Sequence, residues 1–229
     1  MSVNHGEAGG GSSSGEGPRR GHAAGGELRF PEEAPPERGG RDWRDTFRGA
    51  TDLALVGFLT CLGALAGVTA AAAVGTASAA IAQWCEYETW PSARETLRRF
   101  GRAVLPGVPV SLIVIVVGSL LAINVRALAT GVVPGGPVLI GVTRVVAAAA
   151  AGYAGLVTVA IGRSEARGWR TAARAAARTA QARPGVPAAL AGVLAIGAVL
   201  LVMVHPLIIP ILAGYLLFGL HAVSRRLAA

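Results

Sequence analysis

Long uncharged runs alternate along this chain with short stretches that carry arginine. Residues 53–85 form the first run and hold no charged side chain. A single bilayer crossing takes about 20 residues and two take about 40, so this run falls between the two. It crosses twice, or crosses once with a re-entrant arm, or crosses only once. Residues 106–125 make a clean span that ends at Arg126, and residues 138–162 make another, interrupted near its start by Arg144. The next apolar stretch is long enough for two spans, 185–204 and 206–223, with a hairpin turn at His205-Pro206. Proline has no backbone N–H to donate and pushes the residue before it out of the helical region.

The polar stretches between these runs predict helices of a different kind. Asp42 to Arg48 reads as a lead-in, with Trp43 and Phe47 four apart on one face that can rest on headgroups. Ser92 and Glu95 form a capping box at the start of a helix over 92–104. Leu97, Phe100 and Val104 take one side of it, and Arg94, Arg98 and Arg102 another, which predicts an interfacial helix. Residues 163–183 predict a polar, arginine-rich helix closed by Pro184. Pro134-Gly135-Gly136-Pro137 marks a tight loop within 130–137. The expected fold class is therefore all-α. It is a polytopic transmembrane bundle of about five to six spans over 42–226, with amphipathic cytoplasmic helices.

Composition agrees. The chain has 229 residues, of which 52% are hydrophobic and 15% charged, against about a quarter charged in a soluble domain. Residues 1–41 are rich in Gly, Ser, Pro and Glu and cannot bury a core, so they read as a disordered tail. They contain no apolar segment of the kind a cleavable signal peptide needs. Every basic side chain is arginine, which with the Ala, Gly and Val content suggests a GC-rich bacterial gene.

The net charge of +8 reads as membrane topology rather than nucleic-acid binding, because the arginines flank apolar runs. Two crossings by 53–85 put sixteen arginines on the cytoplasmic side and leave only Arg126 and Arg144 outside. That count favours a plasma membrane protein with both termini in the cytoplasm.

Few residues offer chemistry. Arg163, Arg167, Arg170, Arg174 and Arg178 are spaced to share one narrow face of a helix. That stripe is the candidate contact for anionic lipid headgroups or for a membrane-protein partner. Trp169 points nearly opposite. His205 and His221 read as interfacial caps, and Arg144 as a charge that snorkels outward. Asn124 and Tyr153 read as polar glue between helices, and Gly63, Gly67, Gly152 and Gly155 as packing surfaces. Cys61 and Cys85 read as small hydrophobes. No catalytic, cofactor or metal site is expected. A serine nucleophile built from Ser111 or Ser119 with His205 has no motif behind it. Residues 104–162 contain no acid, which disfavours a proton- or cation-coupled carrier.

Gly75-Thr76-Ala77-Ser78-Ala79-Ala80, then Trp84, then a short arginine-bearing helix, resembles the signature region of the YesL-like family of bacterial integral membrane proteins. Ala176, Ala180, Arg183-Pro184 and Pro206 fit the same resemblance, which covers roughly Trp43 to Arg226. Gly75-Thr76 stands where that family has a proline. The resemblance implies a compact bundle of five or six spans and an accessory role linked to carbohydrate uptake. It carries over no catalytic residue. The expected function is a non-enzymatic accessory or interaction protein. The alternative is a small transporter or channel for neutral or anionic solutes, with Arg144, Asn124 and His205 along a polar path.

Overall fold

The computed structural model of the protein describes residues 43–130, 136–203 and 205–228. The expected disordered tail and most of the loop at 130–137 lie outside these residues. Among them are seven α-helices: α1 Trp43–Ala64, α2 Ala70–Tyr87, α3 Ala93–Ala129, α4 Gly136–Arg163, α5 Trp169–Ala182, α6 Gly185–Met203 and α7 Ile209–Ala228. A single 3₁₀ turn, Pro206–Ile208, precedes α7.

The run 53–85 folds as a helical hairpin. Its turn spans 65–69, where Gly67 takes φ of 68°, a conformation that costs glycine little. Gly63 faces Ala73 near the turn and Gly49 faces Trp84 at the open end, so α1 and α2 run antiparallel. The shortage of length disappears because α1 begins at Trp43 and absorbs the lead-in segment. With 22 and 18 residues, α1 and α2 are about 33 and 27 Å long.

At the centre of the bundle is α2. From Ala71 to Ile81 every residue but Val74 is buried, and it packs on α1, α3, α4 and α7. Small side chains let four neighbours approach one helix. The α2 N-terminus also receives a cap from outside: the Ala71 N–H donates to Ser111 Oγ of α3 at 2.9 Å.

The interfacial helix expected at 92–104 and the span expected at 106–125 are not separate. They form one 37-residue helix, α3, that runs through Pro106 and Pro109. Each proline removes only one backbone hydrogen bond. Gly107 packs on Ala72 and Ser111 binds Ala71, so tertiary contacts hold the helix where it is weakest. Ser92 caps α3, its hydroxyl accepting from Glu95 N–H. The Glu95 carboxylate does not complete the box; it pairs with arginines one turn on. Leu97 is exposed, while Phe100 packs beside Ala72 and Ala103.

The α6–α7 turn lies at His205-Pro206, as the sequence leads one to expect, and His205 Nδ1 accepts from Leu207 N–H. The first and last described helices then meet. A methyl group on Gly57 of α1 would overlap the backbone of α7 at Pro210 and Gly214, and one on Gly214 would overlap Leu53. These helices touch backbone to backbone.

Among the described residues, four helices are long and apolar enough to cross a membrane: α1, α3, α4 and α6. That is fewer than the five to six expected, because α2 and α7 fall short in apolar content. Leu112, Ile113, Val114, Val116, Leu120 and Ile123 of α3 are all exposed, and α4 and α6 carry similar residues. Aliphatic surface on this scale is stable against lipid, not water. The arrangement is that of a multi-pass membrane protein in contact with a bilayer.

Candidate functional site

The arginine stripe does not lie on one helix. Arg163 is the last residue of α4, Arg167 sits in the turn 164–168, and only Arg170, Arg174 and Arg178 belong to α5. Helical periodicity cannot see this turn, because the arginine spacing continues across it. Glu165, Ala166 and Gly168 take positive φ there. The non-glycine pair is held by local bonds and burial. Ser164 Oγ lies 2.6 Å from the Arg167 carbonyl, and Ala166 is buried beside Ala72 and Ala103.

The turn folds α5 back over α4. Tyr153 of α4 donates from its hydroxyl to the Ala173 carbonyl at 3.0 Å, the glue expected of it. Ala172 and Ala176 are buried against the bundle, and Arg170, Arg174 and Arg178 are exposed. Trp169 lies on the buried side, with its ring against Gly75 and its Nε1 without a partner among the described residues. Arg167 pairs with Glu165 at 3.3 Å.

Between α4, α5, α6 and α7 lies a cavity of about 490 Å³. Arg163, Arg183, Thr179 and Ser224 give it polar walls, and Leu156 and Val186 belong to its apolar wall. Among the described residues, no acidic side chain lines it. Arg183 donates from Nη1 to the Leu227 carbonyl at 2.9 Å, which ties the end of α5 to the end of α7. Arg225 likewise donates to the Cys85 carbonyl and ties α7 to α2. Arg163 and Arg225 both lie within electrostatic reach of His221. Arginines from separate segments of the sequence thus gather at one end of the bundle. Arg183 belongs to this group, and nothing in the five-residue stripe pointed to it.

A second basic group stands at the start of α3, in polar turns ahead of its apolar stretch. Glu95 pairs with Arg99 at 3.2 Å, Arg98 at 3.6 Å and Arg102 at 3.7 Å. The hydrogen bond from Arg99 holds the Glu95 carboxyl below the usual carboxylate range. Desolvation opposes this, and the charges of Arg98, Arg99 and Arg102 add to it.

Next to the cavity is a buried polar pair that periodicity could not reveal. Ser78 Oγ of α2 lies 2.8 Å from His221 Nε2 of α7 and 2.7 Å from the Thr158 carbonyl of α4. A carbonyl cannot donate, so the one hydroxyl proton goes to Thr158. Nε2 must then carry hydrogen and donate to Ser78. The pair is wired as a brace between three helices, not as a nucleophile with its base. Ser78 and His221 are buried, at 0% and 2% exposure. The two residues are 143 positions apart in sequence, and no spacing rule connects them.

The other expected residues do not converge. Arg144, Asn124 and His205 are all exposed on the outside of the bundle and line no common interior. Ser119 is exposed, and Ser111 is committed to capping α2. Cys61 and Cys85 are free thiols. Gly152 and Gly155 do mark close contacts, with Pro187 and with Leu190 and Leu220. The described residues contain no cluster that could hold a metal ion.

The chain matches no family model, no curated protein and no solved structure.

Proposed function

We propose that the protein is a non-enzymatic accessory protein of a bacterial plasma membrane, and that its α5 docks an acidic surface of another membrane protein. One observation carries this reading. Helix α5 has Ala172 and Ala176 seated in the bundle while Arg170, Arg174 and Arg178 stand outward. Three guanidiniums on one short face repel one another unless an anionic surface lies close. Arginine also suits such a surface, since its fork matches a carboxylate with two parallel hydrogen bonds. The resemblance to YesL-like proteins supports an accessory role and adds a link to carbohydrate uptake.

Crosslinking in cells tests the proposal. A photoreactive side chain at exposed Thr171 should capture a discrete membrane protein, and Arg170→Gln with Arg174→Gln and Arg178→Gln should abolish the capture. Adducts to lipid alone would mean that the face rests on the leaflet, and the partner reading would fail.

A further inference from the structure

We propose that a groove between α1, α2 and the first turns of α3 holds one aminophospholipid of the phosphatidylethanolamine kind, with its ammonium on Asp52 and an acyl chain along the groove. The inference goes beyond the partner reading, because no residue of α5 lines this groove.

The dimensions argue for a lipid chain. The groove has a volume of about 580 Å³, within the range of small-ligand sites. Asp52 lines one end of it and Gly63 the other, so it follows α1 for about 16 Å. That is close to half of the roughly 30 Å hydrocarbon core, the depth of one leaflet. A transmembrane helix, about 10 Å across, would need about twice the volume over the same length. Leu55, Leu59 and Leu62 form the α1 wall and are each more than half exposed, so the groove lies open to the bilayer along its side. Ala73, Ala77 and Ala80 of α2 are buried beneath it, and their small side chains leave the room.

Charge complementarity chooses the headgroup. Among the described residues, Asp52 is the one charged side chain that lines the groove. It lies within the apolar span Phe47–Ala64, one position before the uncharged run 53–85. A carboxylate there stands where headgroups give way to chains, and an ionisable side chain within a span calls for a partner of opposite charge. Arg98, Arg99 and Arg102 pair with Glu95, not with Asp52. A primary ammonium brings both a positive charge and N–H donors, which makes its hydrogen bond to a carboxylate a strong one. A choline headgroup has the charge without the donors, and a glycerol headgroup has no cation. Trp90 lines the same end, stacked on Trp84 at 5.3 Å, and offers aromatic surface that favours a cation.

Native mass spectrometry of the whole chain tests this. The protein is released from nanodiscs of equal parts phosphatidylethanolamine, phosphatidylcholine and phosphatidylglycerol. One phosphatidylethanolamine per chain should be retained in preference to both other lipids. Asp52→Asn should lower its retention about tenfold, the scale of one hydrogen bond to a charged group. Asp52→Glu should keep most of it. If the asparagine variant does not fold, Ala93→Trp, which obstructs the groove from an exposed position and spares Asp52, should expel the lipid. Arg170→Gln with Arg174→Gln and Arg178→Gln should leave it in place. Three results would each overturn the proposal. They are retention of phosphatidylcholine or phosphatidylglycerol at or above phosphatidylethanolamine by the wild type, unchanged retention in D52N or A93W, and loss in the α5 triple variant. Protein capture at Thr171 is measured separately, so either reading can fail alone.

Discussion

Of two neighbouring helices, α3 holds the more apolar stretch and α2 is the more buried. The most apolar window of α3 has a mean hydropathy of 2.5, yet only 6% of it is buried. In α2, which falls short as a span, ten of eighteen residues are buried. In water this order would reverse, because burial of apolar area drives folding. Lipid removes that drive between helices, since acyl chains are as apolar as leucine. What remains is close packing and hydrogen bonding. Ala, Gly, Ser and Thr serve these better than Leu or Val, so they make up most of the buried face of α2 while the aliphatic residues of α3 face out.

Substitutions in the two helices sharpen this contrast. The largest effect is expected from Ala72→Leu. Ala72 is wholly buried against Gly107, and overpacking there should cost about 3 kcal/mol. Val116→Ala, which removes apolar volume from α3 at a 55% exposed site, should cost less than about 0.5 kcal/mol. Unfolding titrations in mild detergent compare them, and equal costs would break the comparison.

Gly162→Ala comes next. A methyl group there would overlap Ser78 Oγ, so α2 and α4 must part or the Ser78–His221 brace must open, at about 2 kcal/mol. Hydrogen exchange at the brace should rise in step. Ser78→Ala should cost less, about 1 kcal/mol, the usual scale of an interhelical hydrogen bond in a membrane. A larger loss from Ser78→Ala than from Gly162→Ala would show that the bond outweighs the close packing. Smallest is Leu97→Asp, at an exposed position of α3 ahead of the prolines. It should leave bundle stability within about 0.5 kcal/mol and loosen only the seating of these first turns of α3 at the headgroup region. Chemical unfolding beside labelling of neighbouring positions by a water-soluble reagent separates the two.

Much of the helix layout can be read from apolar run lengths, because each run and each breaker leaves a local trace. The turn at His205-Pro206, the cap at Ser92 and the close contacts of Gly152 and Gly155 are of this kind. Proline misleads at Pro106 and Pro109, where contacts from α2 hold α3 continuous. Periodicity misleads at Arg163 to Arg178, where a turn keeps the helical spacing of arginines without being a helix. The Ser78–His221 pair and the cavity at Arg163 and Arg183 leave no trace at all. Each joins residues from distant helices, and only their packing decides which polar groups meet.

The backbone contact between Gly57 and Gly214 bears on how the protein is made. The first described helix closes against the last, and the two glycines lie 157 positions apart in the sequence. At about 5–20 residues per second, α1 must stay in the membrane for roughly ten to thirty seconds before its partner is synthesised. During that interval its small-residue face is open to lipid, to a chaperone or to another nascent chain. A ribosome stalled before Gly214 should therefore present α1 to insertion factors, and crosslinks from Gly57 to such factors should vanish once α7 has emerged.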